Sequence, residues 1–171
     1  MRRVPSPVVV ITAPDPLSDA PGRGITIGSF ASVALDPPLV SFNVARDASM
    51  HRIMKSGVRY VVHVLGEGQA HLAKRFAEPG RTGHEQFDGV PHRVDDAGSP
   101  ILESVGLALH CVPHDETEVA DKTLFIGRVV QVDEDDDDGA VLYYRQDYRG
   151  VGRELPSSLL SPVKRASNDS S

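Results

Sequence analysis

The sequence predicts a mainly β protein, an antiparallel barrel with short helices set into it. Three observations predict this. About seven short runs rich in β-branched and aromatic residues follow one another, separated by turn signals. Gly 15 and Pro 13 in 171 residues favour many turns over a helical bundle. Only two segments have helical spacing, and they do not alternate with the strands as a doubly wound parallel sheet requires.

Residues 8–12 (VVVIT) form a β-branched run that breaks at Ala13-Pro14-Asp15-Pro16. Residues 18–23 are polar and read as a surface loop. Residues 24–29 and 39–44 are strand-like and flank a turn at Asp36-Pro37-Pro38. Neither proline has an N–H, so this turn is stiff and stays out of a central ladder. Residues 48–56 place Met50, Ile53 and Met54 at helical spacing, with Ser49 or Asp47 as cap and Gly57 as stop. Residues 60–65 run apolar without alternation, as in a strand covered on both faces. A second amphipathic helix is expected over 67–77, closed by Pro79-Gly80. Residues 81–88 read as a loop, 90–94 as a short strand and 95–99 as a turn. Residues 104–118 begin apolar and become charged, with Pro113 in the middle. Residues 122–132 are the best strand of the chain, and 140–144 return as a strand after an acidic hairpin loop.

The length suits one domain, placed at residues 1–155, followed by a Ser-rich tail at 156–171 in which Leu159-Leu160 is the only candidate contact. The net charge is −6, much of it in the acidic run at residues 133–138, which disfavours nucleic acid as a partner. No apolar run reaches the roughly 20 residues a membrane-spanning helix needs. No signal-peptide pattern follows the basic start. The single cysteine, Cys111, excludes an internal disulfide and reads as a buried core residue, so the cytoplasm is the expected compartment.

Several chemistries fail on spacing. The seven histidines form no metal-binding pair with a carboxylate, and Pro113 separates His110 from His114, so no metal is expected. A GxSxG nucleophile elbow and a GxGxxG dinucleotide fingerprint are both absent. The acidic run lacks the spacing of a calcium-binding EF-hand loop. What remains is the stretch from Gly24 to Val44. Its connection, Ser29-Phe30-Ala31-Ser32, offers backbone amides and two hydroxyls, which suit an anion or a heteroaromatic ring edge. Arg46 and Ser49 follow at the start of a helix and could take a phosphate. Taken alone, that second segment fits an ordinary capped helix equally well. In one continuous stretch, the two point to a phosphorylated, ring-bearing ligand.

The segments PVVVIT (7–12), GITIGSFASV (24–33), LDPPLVSFNV (35–44), ARDAS (45–49), VHVL (62–65), LAKRF (72–76) and LFIGRV (124–129) occur in an order and spacing that resemble the flavin reductase-like family. These are FMN-binding split barrels that include the small reductase components of two-component monooxygenases. The likeness runs from Val4 to about residue 150. It implies an antiparallel, Greek-key-like split barrel and a homodimer with FMN near the subunit interface. FAD is the alternative flavin, and NAD(P)H is the cosubstrate. Thr26, Ile27, Gly28, Ser29, Phe30, Ser32 and Val33 would face the isoalloxazine ring, and Asp36 would close one side. Ser41, Asn43, Arg46 and Ser49 would approach the ribityl chain and phosphate, with Lys74 or Phe76 coming from the second helix. The implied reaction is hydride transfer from nicotinamide C4 to flavin N5, with Ser29 and Lys122 as catalytic candidates and a monooxygenase as recipient of the reduced flavin.

Two positions depart from the family pattern. Ala120-Asp121-Lys122 stands where many members have Gly-Asp-His, and Gly28 stands where Ser is usual. Lysine cannot accept a proton or stack as imidazole does, but it can neutralise a nucleotide phosphate. The alternative reading is therefore an FMN-binding protein of the same fold without reductase activity. A barrel for protein interaction, without cofactor, is the third class.

Overall fold

The β-branched runs become strands, and the proline–glycine punctuation becomes the turns between them, in a computed structural model that describes residues 3–135 and 139–152. In chain order the strands are β1 (Ser6–Pro7), β2 (Val9–Ala13), β3 (Arg23–Ile27), β4 (Ala31–Leu35), β5 (Pro38–Ala45), β6 (Tyr60–Val64), β7 (His92–Val94), β8 (Pro100–Leu102), β9 (Leu107–Val119), β10 (Lys122–Glu134), β11 (Val141–Tyr144) and β12 (Asp147–Gly150). The helices are α1 (Ser49–Lys55), α2 (Ala70–Ala77) and α3 (Gly83–Phe87). No helix among the described residues is long and apolar enough to cross a membrane.

Seven strands pair antiparallel in the order β3-β2-β6-β9-β10-β5-β4. The sheet curls until β3 lies against β5, but no ladder joins those two. Helix α1 lies at this seam and touches both strands. This is a split barrel, as the resemblance implies. Inside it, Val9, Ile11, Phe42, Val44, Tyr60, Val62 and Phe125 pack with Met50, Ile53 and Met54 of α1. A second core lies outside, where Val8, Val10 and Val61 meet Leu72, Ala73 and Phe76 of α2 and Phe87 of α3. Strands β2 and β6 are thus buried on both faces, which explains their lack of alternation. A small sheet, β1-β11-β12, stands beside the barrel.

The structure corrects several expectations. The small polar connection after Ser29 is an edge strand from Ala31 onward, with a bulge between Ser32 and Ala34. Residues 81–88 contain α3, started by Thr82, whose hydroxyl accepts from the Glu85 amide while the Glu85 carboxylate accepts from the Thr82 amide. That capping-box pattern stands in the sequence. The charged half of residues 104–118 continues as strand β9, because a register shift opposite Gly127 accommodates Pro113 in the ladder. The helix expected over 67–77 splits into a 3-10 turn (Glu67–Gln69) and α2. Neither Ser49 nor Asp47 caps α1: the cap position is Ala48, with no side-chain bond. The centre of the acidic loop and the tail at 156–171, with Leu159-Leu160, lie outside the described residues.

Candidate functional site

The residues singled out in the sequence fall on two neighbouring surfaces around the seam. The first is the open edge formed by the β3–β4 connection and β4. Gly28, Ser29, Ser32, Val33 and Asp36 are exposed there, and the Asp36–Pro37 peptide is cis. Ser29 Oγ accepts a 2.9 Å bond from the Asn43 amide. It does for Asn43 what a β4 carbonyl would do if the ladder ran one step further, and this leaves the backbone of residues 28–30 open. Ser41 and Asn43 are half-buried on the face of β5 opposite the barrel core, as alternation with Val40, Phe42 and Val44 requires. Lys122 begins β10 opposite Ala45, two residues beyond the Asn43–Leu124 pair. Its ammonium lies 3.9 Å from the Asp121 carboxylate. Ser29, Asn43 and Lys122 therefore share one region of adjoining strands.

The second surface is a groove of about 490 Å³ along the start of β3, between α1 and the end of α2. Arg23, Ser49 and Phe76 are among its lining residues. The Arg23 guanidinium donates to Ser49 Oγ through Nε (3.1 Å) and Nη2 (2.9 Å). Phe76 is buried, packs edge-on to Phe87 at 5.3 Å, and lies so close to Gly24 that an added Cβ there would come within 2.4 Å of its ring. Gly24 is what lets β3 lie flat on that ring.

Other expected site residues have a different placement. Ile27 is a core residue at 5 % exposure, so only its backbone can face a ligand. Phe30 packs against the inner core, half-buried. Thr26 donates its hydroxyl to the Ala73 carbonyl at 2.6 Å, tying β3 to α2. Lys74 is exposed on α2. Arg46 turns to Glu118 of β9, 3.5 Å away, while its amide donates to the Asp121 carbonyl. The structure thus brings Ser49 together with Arg23, not with Arg46. Arg23 closed a loop in the sequence reading; the local signal for it was its place beside a glycine at a strand start, and its partner lies 26 residues away.

The groups on these surfaces are of the kinds a flavin nucleotide needs. A planar heteroaromatic ring needs amides and hydroxyls along its edge and an apolar floor; a phosphate needs a forked cation and a hydroxyl. Burial pushes the Cys111 thiol up to about 12, so it is inert core and no part of the site.

The chain belongs to the flavin reductase-like family: the model of the flavin reductase like domain matches residues 1–152. It is 39% identical to an NADH:FMN oxidoreductase of Rhodococcus qingshengii, over 86% of this chain and 77% of that protein. Among solved structures it is similar to the NADH:FAD oxidoreductase of Streptomyces globisporus C-1027, with a TM-score of 0.79 and 30% identity, covering 90% of this chain and 85% of that one. It is also similar to the styrene monooxygenase flavin reductase of Pseudomonas putida S12, with a TM-score of 0.77 and 27% identity, covering 90% and 96%.

Proposed function

We propose that this chain is an NAD(P)H-dependent flavin reductase. The reaction moves one hydride from the reduced nicotinamide ring to oxidised flavin, which also takes up a proton; NAD(P)⁺ and reduced flavin leave. The flavin supplies the electron-accepting ring when bound, and the protein supplies position and polarity. The observation that carries the reading is the pairing of Arg23 with Ser49 in a groove at the start of β3, the strand whose far end leads into the exposed Gly28-Ser29 connection. In this reading Arg23 and Ser49 hold the flavin's 5′-phosphate. Ser29, Ser32 and the amides of residues 28–30 orient the ring edge. Ser41 and Asn43 face the ribityl chain. Lys122 sits at the nucleotide side, where its charge balances a pyrophosphate.

The chain works as a homodimer on this reading, and the apolar edge of β4 supports it. Leu35 is 89 % exposed and Val33 50 %, on an edge strand that a second copy would cover. A partner oxygenase receives the reduced flavin; the likeness to the styrene monooxygenase flavin reductase and to the flavin reductase component of a bacterial two-component tryptophan halogenase supports that role. A free, buried cysteine agrees with a cytoplasmic site of action.

Anaerobic mixing of the flavin-loaded protein with NADH or NADPH tests the proposal. The flavin's visible absorbance is expected to bleach at about 1 s⁻¹ or faster with one of the two. Stable absorbance with both nucleotides would leave flavin binding alone.

A further inference from the structure

Helix α3 grips the chain on both sides of Arg23. Strand β3 stands at one end of the seven-stranded order, so one of its edges is laddered to no strand. Helix α3 lies against β3 and covers part of that edge. The Gln86 side chain, 4 % exposed, takes both main-chain groups of Gly24. The Gly24 amide donates to Gln86 Oε1 at 3.0 Å, and Gln86 Nε2 donates to the Gly24 carbonyl at 3.0 Å. One carboxamide thus pairs with the strand edge as a neighbouring peptide group would. On the other side of Arg23, Gly83 lies so close to Gly22 that an added Cβ would come within 2.4 Å of the Gly22 carbonyl oxygen. The helix is held in its turn by Arg75 of α2. The Arg75 guanidinium donates through Nε to the Gln86 carbonyl (2.7 Å), and through Nη2 to the carbonyls of Glu85 (2.7 Å) and Asp88 (2.5 Å).

Strand β3 is already laddered to β2 along its length, from the Ala13–Arg23 pair to the Val9–Ile27 pair. What Gln86 adds is local. The Gly24 amide belongs to the planar peptide that leaves Arg23, so its bond to Gln86 fixes the plane of that peptide. The direction in which the Arg23 side chain leaves the strand is fixed with it. A glycine beside the arginine is the residue least able to hold that direction by itself. From this fixed root the guanidinium reaches Ser49 Oγ on α1 through two bonds of 3.1 and 2.9 Å. A cation held in place before the ligand arrives costs less ordering on binding. Gln86 is not among the residues that line the groove, so it acts at one remove. We infer that Gln86 is a positioning residue for the flavin phosphate, acting through the Gly24 backbone on Arg23. The inference rests on the phosphate reading of Arg23 and Ser49 and adds to it the buried residue that prepares that site.

Titrations followed by flavin fluorescence test it. Gln86→Met keeps the length of the side chain and removes both bonds to Gly24. It is expected to weaken FMN by about fivefold or more, and to leave riboflavin, which has the ring and ribityl chain but no phosphate, within about twofold of wild type. Residues linked in this way couple by roughly 2- to 150-fold. In an Arg23→Ala background the same substitution should therefore cost FMN less than about twofold, because the group it positions is gone. Gln86→Asn, whose carboxamide is one carbon too short to reach both Gly24 groups, should lose FMN with the same selectivity, and it carries the test where Gln86→Met does not fold. Equal losses of FMN and riboflavin in the Gln86 variants mark general damage and overturn the proposal. So does an unchanged FMN affinity, or a full additive loss on top of Arg23→Ala. The two readings fail separately. An Arg23→Ala protein that loses FMN and riboflavin equally removes the phosphate assignment, and the role of Gln86 with it. A selective Arg23→Ala beside an unselective Gln86→Met removes the role of Gln86 alone.

Discussion

Lowering the pH from 7 to 5 should weaken this fold through His63. His63 is in β6 with no exposed surface. The Leu102 amide donates to its Nε2 at 3.0 Å, so that nitrogen carries no proton; Nδ1 therefore carries the proton and donates to the Val10 carbonyl at 3.1 Å. One neutral imidazole thus ties β6 to β2 and to β8. Burial pushes its pKa down to about 4, opposed by the Val10 bond, with the charge of His110 adding to the fall. The folded value lies below the ordinary 6.5, so between these two pH values the unfolded chain binds more protons than the folded one. Stability is therefore complete above about pH 6.5 and declines as the pH falls towards 4. Integrating the linkage between pH 7 and pH 5 gives a loss of about 2 kcal/mol, rising to about 3 kcal/mol below pH 4. Urea unfolding at half-unit pH steps, on wild type and His63→Gln, isolates this group, because the other six histidines are common to both proteins. The wild-type slope should exceed that of the variant by about 1 kcal/mol per pH unit in this window. Parallel slopes would refute the assignment of a neutral, doubly bonded His63.

Three further outcomes are expected. Arg23→Ala should weaken FMN by roughly 10- to 100-fold, the worth of a charge-assisted bond, and leave riboflavin within about twofold, whereas Arg46→Ala should cost less than Arg23→Ala because Arg46 is held by Glu118; a flavin titration showing equal losses for FMN and riboflavin would remove the phosphate assignment. Lys122→His should change the KM for the nicotinamide nucleotide without releasing FMN, since Lys122 lies outside the Arg23–Ser49 groove; a flavin-free variant contradicts that placement. Gly127→Ala would put a Cβ 1.9 Å from the Tyr60 hydroxyl, with Tyr60 wedged edge-on against Phe42 at 5.5 Å, so it should destabilise the fold by about 2 kcal/mol, and Tyr60→Phe in the same background should recover part of the loss in a thermal-unfolding cycle.

How much of this was legible in the sequence follows from the range over which each signal acts. The Val8–Ile11 run, the Asp36-Pro37-Pro38 turn and the Met50–Ile53–Met54 spacing are local, and each forms the element its pattern dictates. The Thr82–Glu85 capping box was equally local and was hidden by the polarity of its neighbours. Pro113 is a different case: it sits in the ladder beside a bulge at His114 on its own strand, opposite Ile126 and Gly127, and that pairing is set by a strand more than ten residues further along the chain. The candidate site divides along the same line. Ser29 was visible because small hydroxylated residues beside a stiff turn expose backbone whatever the fold around them. The cation was not. Arg46 stands three residues from Ser49 in sequence, but the strand that precedes it sends its side chain towards β9, while Arg23 reaches Ser49 only because the barrel splits between β3 and β5 and α1 fills the gap. Proximity along the chain pairs Ser49 with Arg46; in the fold the partner of Ser49 is Arg23. The seam that brings α1 against β3 therefore does more than close the core, because it sets a strand side chain, Arg23, in hydrogen-bond contact with a helix side chain, Ser49.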